Sequence, residues 1–319
     1  MAMTESRNDD LIFVYLGTVD YHFMIQKNIK LLRLLYPDSR VIVYDWGDAN
    51  GQPGTTEFPE GTEVIDWTER LKDTWYLGDI YDDEHRIDIA KKFNSREDGT
   101  YSRRLNKFFL KRFPGSPPAQ RMIAKALRYD NLLLHKPYNL QDCSTRLAGK
   151  RFFLVDADAY LVDRIDEIFD GDPDVILPMV SPENHRWDYN NCQGLNTGVM
   201  GFNGRTAARD AFLRDWYAAI EGNDEWLREL VALNRLIHSK SPEFFDDWGL
   251  HTLKFEEREV KIRTIENDIY NCYFNYQDTP SDFDRVKILH LAGIMQRKHL
   301  FPKYIGTVEE VLQKRLQKF

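Results

Sequence analysis

The sequence contains few cysteines, and their spacing excludes two common kinds of structural site. Only three occur among the 319 residues, at Cys143, Cys192 and Cys272. No pair has the Cys-x-x-Cys spacing of a zinc knuckle, and an odd, sparse set does not form a disulfide framework. We therefore expect reduced thiols in a cytosolic protein.

Long apolar runs are also missing. No segment approaches the roughly 20 apolar residues that a membrane-spanning helix needs. Residues 1–10 lack the apolar stretch of a signal peptide. We expect a soluble, cytoplasmic protein, and peripheral contact with a membrane stays open.

The sequence also has fewer basic than acidic residues. Lys and Arg number 43 against 51 Asp and Glu, which gives a net charge of −8. Proteins that bind nucleic acid normally show a basic balance, so we do not expect nucleic acid as a partner. An anionic substrate is still compatible with the sequence, because a bound metal ion supplies positive charge locally.

What the sequence does contain is an alternation of strand and helix patterns. Residues 11–16 and 40–45 are continuous apolar segments, and residues 22–35 between them carry apolar side chains at helical spacing. Further strands are predicted at 62–67, 174–180, 196–203 and 287–293, and further helices at 208–220 and 307–319. The pattern predicts an α/β fold with a mixed, mostly parallel sheet and helices on both faces.

A charged insertion interrupts this pattern at about residues 68–118. Within it, residues 103–113 interleave basic and aromatic side chains. Such a segment is consistent with a solvated helical insertion, or with a mobile lid or an acceptor-binding surface. After it we predict two helices in 119–147, separated near His135-Lys136-Pro137. We expect residues 1–319 to form one domain.

Two aspartates follow an apolar strand directly. The segment FFLVDAD ends in Asp156 and Asp158, whose side chains point to the same side of an extended chain. Asp is common in turns, so a plain strand-end turn is one interpretation. The other is a divalent cation site, because ligands collect at the carboxyl ends of strands in open α/β sheets and carboxylate oxygens suit Mg²⁺ or Mn²⁺.

A histidine follows a second apolar segment, KILHLAG. A lone histidine is usually a structural residue, but His290 would complete a two-Asp, one-His metal site. Gly293, three residues later, allows the backbone to approach a ligand closely. Arg297 and Lys298 would then face the phosphates of such a ligand.

Two other segments carry polar groups suited to a sugar. The glycine-rich QGLNTGVMGFNG offers Asn196 for hydrogen bonds to hydroxyl groups, although a bulged core strand is an alternative interpretation. In FFDDWGLH, Asp246 or Asp247 precedes a predicted helix. Either is an N-cap or a catalytic carboxylate at the acceptor site.

Taken in chain order, these features resemble the nucleotide-sugar glycosyltransferases of the GT-A fold. The likeness is strongest to the glycogenin-like and bacterial lipopolysaccharide glucosyl- and galactosyltransferases, and it covers residues 11 to about 300 apart from the insertion. It implies a Rossmann-related, GT-A-like sheet. In that family the two aspartates and the late histidine bind Mn²⁺ or Mg²⁺ with the donor diphosphate, which implicates Asp156, Asp158 and His290.

The resemblance also implies contacts around the donor. Asp20 and Tyr21 would lie near the nucleobase, Lys136 would stand in the basic helix before the Asp-x-Asp strand, and Asn196 would lie near the donor or acceptor sugar. The family usually has Asp-Gln where this chain has Asp246-Asp247.

The expected activity is transfer of a sugar from a nucleotide-diphosphate donor, preferably a UDP-sugar, to a glycan, lipid-linked or small-molecule acceptor. The resemblance favours retention of configuration; in an inverting reaction Asp246 or Asp247 would act as base. Alternatives are a haloacid-dehalogenase-type phosphatase with Asp156 as nucleophile, a glycosidase, and a non-catalytic protein that binds a nucleotide sugar or glycan.

Overall fold

The computed structural model describes most of the chain. The described residues are 11–48, 51–72, 83–94, 100–182, 194–221, 227–273 and 283–317. Of the three cysteines, Cys143 and Cys272 lie within these ranges and are unpaired and buried, whereas Cys192 lies outside them.

Ten strands and nine helices occur in the described residues. The strands are β1 (Leu11–Gly17), β2 (Val41–Asp45), β3 (Thr62–Asp66), β4 (Arg151–Asp156), β5 (Ala159–Leu161), β6 (Val175–Met179), β7 (Val199–Phe202), β8 (Leu250–Phe255), β9 (Arg258–Glu266) and β10 (Ile288–His290). The helices are α1 (His22–Leu35), α2 (Thr68–Lys72), α3 (Asp83–Asn94), α4 (Thr100–Arg112), α5 (Pro117–Arg146), α6 (Thr206–Glu221), α7 (Arg228–Lys240), α8 (Asn267–Tyr270) and α9 (Phe301–Leu316).

Eight strands form one mixed sheet in the order β3-β2-β1-β4-β7-β6-β9-β8. Four of its seven strand pairs are parallel. Strands β5 and β10 form a separate antiparallel pair beside it. The α/β class and the mixed, mostly parallel sheet are therefore confirmed.

Side chains of β1 alternate between the two faces of the sheet, as the period of a strand requires. Ile12, Val14 and Leu16 pack into the apolar core that includes residues of α5, α6 and α7. Phe13 and Tyr15 pack into the opposite core with α1 and α9. Helices cover both faces, as predicted, and this explains why every residue of β1 and β2 is buried.

The prediction of two helices in 119–147 is wrong, because α5 is one helix of 30 residues with Pro137 inside it. Proline removes one backbone hydrogen bond from a helix interior, but packing on both sides of Pro137 outweighs that loss. Trp67 Nε1 donates to His135 Nδ1 at 3.2 Å, and Trp46 Nε1 donates to Asn139 Oδ1 at 2.9 Å. Tertiary contacts on both sides of Pro137 therefore keep the helix continuous.

Three other segments differ from their predicted bounds. The strand predicted at 196–203 is only β7, because Asn196 and Thr197 belong to the turn that enters it. The C-terminal helix α9 begins at Phe301 rather than at residue 307. The insertion is helical where it is described, in α2, α3, α4 and the start of α5. No helix among the described residues has the length and apolar character needed to cross a bilayer.

Candidate metal and donor site

The site begins at the carboxyl end of β4, in the middle of the large sheet. Asp156 is the last residue of this strand, and its backbone N–H donates to the carbonyl of Gly198 at 2.8 Å. The chain then turns through Ala157 and Asp158 into β5. The position of the two aspartates at a carboxyl end is where ligands collect in open α/β sheets.

Strand β10 brings His290 to the same place from far along the chain. It pairs antiparallel with β5, with His290 opposite Ala159, and the backbone N–H of Leu291 donates to the carbonyl of Asp158 at 2.8 Å. His290 Nε2 lies 3.1 Å from Asp158 Oδ1. One ligand atom from each of Asp156, Asp158 and His290 lies within 4.8 Å of the others.

Lys136 is a buried cation that reaches this cluster from α5. Its ammonium contacts Asp156 Oδ1 at 3.0 Å and donates to the carbonyl of Thr197 at 2.9 Å. Burial raises the pKa of Asp156, while Lys136 and then His290 oppose that rise and Asp158 adds to it. Lys136 therefore favours the ionised carboxylate, which is the form that binds a cation.

The ring of His290 is held by two side chains from the segment after α8. Asn271 Oδ1 lies 2.7 Å from His290 Nδ1, and the Tyr273 ring lies against the imidazole with 4.9 Å between centroids. Asn271 Nδ2 donates to Asn267 Oδ1 at 2.9 Å, which leaves Oδ1 as the atom facing the histidine. An Nδ1–H of His290 therefore donates to Asn271, and Nε2 is the ring nitrogen that faces Asp158 and is placed to bind a metal.

The close packing around Gly198 explains why a glycine occurs at this position of the glycine-rich segment. A Cβ at this position would lie 2.6 Å from His290 Cε1 and 2.9 Å from Asn196 Oδ1. Asn196 Oδ1 accepts from the Gly198 N–H at 2.7 Å, and its Nδ2 donates to the Tyr273 hydroxyl. Asn196 thus lies beside the cluster, in a turn that fits only around a glycine.

Asp20 and Tyr21 lie just after β1, the parallel neighbour of β4. Burial raises the pKa of the Tyr21 hydroxyl, and Tyr129 and the carboxylates of Asp158 and Asp156 raise it further. Asp20 is exposed, and its Oδ1 lies 4.0 Å from Lys298 Nζ. Asp20, predicted to lie near the nucleobase, is therefore next to Lys298, predicted to face the phosphates.

Gly293 adopts the left-handed conformation, with φ of 72°, and starts a 3₁₀ segment over Ile294–Leu300. This conformation favours glycine and turns the chain immediately after His290. Lys298 lies in the same segment. The side chain of Arg297 lies outside the described part of the structure.

Asp246 and Asp247 do not precede a helix, so that prediction is wrong. They follow a 3₁₀ turn over Pro242–Phe245 and lead into β8, the edge strand of the large sheet. Both are exposed, and Asp247 Oδ1 lies 3.9 Å from His251 Nε2. The three-residue cluster does not include either of them.

A carboxylate missed by sequence reasoning, Glu229, lies in the first turn of α7. Glu229 is buried, and burial raises its pKa; Lys136 lowers that pKa and Asp156 raises it again. Glu229 is therefore electrostatically linked to both Lys136 and Asp156. The signal for it in the sequence is an acidic residue at the start of an amphipathic helix.

The residues of the cluster fit a divalent cation. Two carboxylates and one neutral imidazole form a donor set that suits Mn²⁺ better than Mg²⁺, because Mg²⁺ prefers oxygen ligands throughout. The orientation of His290 by Asn271 provides the outer support that metal-binding histidines normally have. Asp156, Asp158 and His290 are the residues that would hold the ion.

Comparisons with known proteins return structural neighbours only: the chain matches no protein-family model and no curated protein sequence. A glycosyltransferase involved in the glycosylation of the major capsid of PBCV-1 aligns over 91% of this chain and 99% of its own, at 9% identity and a TM-score of 0.43. The galactosyltransferase LgtC, in complex with donor and acceptor sugar analogs, aligns over 88% and 87%, at 10% identity and a TM-score of 0.43. The glycosyltransferase GlyE of Streptococcus pneumoniae TIGR4 aligns over 98% and 64%, at 12% identity and a TM-score of 0.42.

Proposed function

We propose that this protein is a GT-A-like glycosyltransferase that uses a divalent metal and a nucleotide-diphosphate sugar. The observation that carries the proposal is the convergence of Asp156, Asp158 and His290, with ligand atoms within 4.8 Å, at the carboxyl end of β4. The order of the sequence motifs supports the same assignment. The donor we expect is a UDP-sugar, and the acceptor is a hydroxyl group of a glycan, lipid-linked sugar or small molecule.

The residues around the cluster have distinct parts in this proposal. A bound Mn²⁺ or Mg²⁺ would act as a Lewis acid toward the diphosphate leaving group. Lys136 favours the ionised form of Asp156 through its 3.0 Å contact, against the effect of burial, which raises that pKa, and it brings positive charge to the carboxylates of the site. Tyr21 and Asp20 line the edge next to β1, where we place the nucleoside, and Lys298 lies close enough to approach its phosphates.

We assign the sugar to the part of the site near Asn196 and Glu229. Asn196 is fixed by its bonds to Gly198 and Tyr273, so its role is to shape this wall. The exposed Asp246 and Asp247 are the catalytic candidates for an inverting reaction. We propose a retaining reaction, which the resemblance in motif order favours.

Turnover tests this proposal directly. We would incubate the protein with Mn²⁺ and a panel of nucleotide sugars, with and without a chelator, and measure release of nucleoside diphosphate. We expect metal-dependent release from a UDP-sugar, and loss of that release in Asp158→Asn but not in the exposed control Asp38→Asn. Hydrolysis of a phosphate monoester with no nucleotide-sugar turnover would instead support the phosphatase.

A further inference from the structure

Helix α4 and Phe113, which follows it directly, expose large apolar side chains side by side in the charged insertion. Leu105 is 44%, Phe108 50% and Phe113 52% exposed. The Phe108 ring contacts those of Phe109 and Phe113, with centroid distances of 5.9 Å and 5.7 Å. Soluble proteins rarely leave grouped aromatic side chains in water unless the surface binds something.

The same helix carries only positive charge. Arg104, Lys107, Lys111 and Arg112 are exposed, and none of the four forms an ion pair with another described residue. No acidic residue occurs between Thr100 and Arg112, although the whole protein has a net charge of −8. The charge of this helix is therefore complementary to an anionic partner, whereas the protein as a whole is acidic.

Cations and apolar side chains share one face of α4. Residues 104, 108 and 111 follow the spacing of neighbours on a helix surface, so Phe108 stands between Arg104 and Lys111. Leu110, on the opposite side, is fully buried in the core and holds the helix on the protein. The cationic surface continues onto α5, where Arg121 lines a groove together with apolar residues such as Leu105 and Met122 and polar residues such as Asn106.

We propose that the α4 surface, formed by Arg104, Leu105, Lys107, Phe108, Lys111 and Phe113, docks on an anionic lipid membrane. Half-exposed aromatic rings among unpaired cations match the boundary between headgroups and acyl chains. Each lysine or arginine near an anionic leaflet strengthens binding about fivefold, and salt screens this attraction. An acidic soluble partner would neutralise the cations, but it would not require three exposed apolar side chains beside them. The inference does not depend on the transferase activity.

Vesicle sedimentation with the full chain tests this proposal. We would compare phosphatidylcholine vesicles with vesicles that contain about a third phosphatidylglycerol, at low and at high salt. We expect binding to the anionic vesicles only, and weaker binding at high salt. The pair Lys107→Ala and Lys111→Ala should reduce affinity about 25-fold at low salt, whereas the control pair Lys30→Ala and Lys303→Ala should retain wild-type affinity.

A second pair of variants tests the apolar contribution. Phe108→Ala with Phe113→Ala should lower the affinity for anionic vesicles at both salt concentrations, because loss of apolar contact is not screened. The matched control is Leu34→Ala with Leu250→Ala, which removes side chains of similar exposure, 47% and 44%, elsewhere on the surface. Absence of vesicle binding, equal binding by the α4 variants and wild type, or binding to soluble heparin without binding to vesicles would overturn the proposal.

Discussion

His290 Nδ1 lies 2.7 Å from Asn271 Oδ1, and this contact determines which histidine nitrogen faces the two aspartates. The Asn271 amide is itself oriented by Asn267, which accepts from its Nδ2. A chain of three side chains from α8 to β10 therefore points Nε2 of His290 at Asp158. The metal site depends on this support as well as on its three ligands.

Asn271→Ala should weaken Mn²⁺ binding by about 10- to 100-fold, the usual loss when the outer partner of a metal-binding histidine is removed. Mn²⁺ binding by calorimetry, without any substrate, measures the effect. Asn271→Asp keeps an acceptor for His290 Nδ1 and should restore most of the affinity. Wild-type affinity in a correctly folded Asn271→Ala protein would show that the contact does not position the ring.

Gly198→Ala should displace His290 or Asn196, because the added Cβ would lie 2.6 Å and 2.9 Å from atoms of these two side chains. We expect a loss of about 1 to 3 kcal/mol in the free energy of unfolding, together with weaker Mn²⁺ binding. Chemical denaturation and metal titration check the two effects. Gly115→Ala is the control, since no atom lies within 4 Å of its added Cβ, and it should change neither quantity. Equal behaviour of the two variants would contradict the steric account.

Lys136→Met should destabilise the fold by about 3 kcal/mol, because it leaves Asp156 without the buried ammonium 3.0 Å away and removes a charge that favours the ionised form of Glu229. Denaturation in the absence of metal measures this loss. The same substitution at the exposed Lys30 should have little effect. A stability loss at Lys136 no larger than at Lys30 would mean that the two carboxylates do not need the ammonium.

Asp130 should make stability depend on pH. It is fully buried, and burial raises its pKa to about 7, with Arg228 opposing and Glu229 adding to the rise. Because the folded pKa lies above the unfolded value of about 4, the folded state binds the proton more tightly, and stability falls as pH rises from about 4 to 7.

Asp130→Asn removes this dependence. Relative to the variant, the wild-type protein should lose about 2 to 3 kcal/mol of unfolding free energy between pH 5 and pH 8, as measured by urea denaturation at both values. The exposed control Asp38→Asn should show no such difference. Parallel pH profiles for the wild type and Asp130→Asn would contradict a raised pKa.

Much of the sheet is predictable because its strands satisfy a local rule. Continuous apolar segments such as β1 and β2 are required wherever helices cover both faces, so composition and spacing reveal them without knowledge of their neighbours. Asp156 and Asp158 follow from the same rule, since the strand before them sets their position. Pro137 is different. Its place inside α5 depends on contacts from Trp46, which follows β2, and from Trp67, between β3 and α2. Such distant contacts cannot be inferred from the local sequence.

The supporting residues of the site also depend on distant contacts. Asn271 and Tyr273 come from a short segment that is held beside His290 by a bridge between Cys272 and Leu289 and by the His290 N–H, which donates to the carbonyl of Cys272 at 2.8 Å. Glu229 becomes significant only when α7 places it near Lys136. The sequence around Asp246 and Asp247 predicts the start of a helix. The chain instead enters β8 at Leu250, which pairs antiparallel with β9, and this non-local pairing prevents a helix there.

Direct detection of Mn²⁺ binding is the most decisive measurement. The electron paramagnetic resonance signal of free Mn²⁺ should fall when the wild-type protein and UDP are added together. It should fall far less with Asp156→Asn or Asp158→Asn, both checked for folding by thermal denaturation, and should fall normally with Asp38→Asn. Equal binding by the wild type and both site variants would contradict the assignment of Asp156, Asp158 and His290 as a metal site.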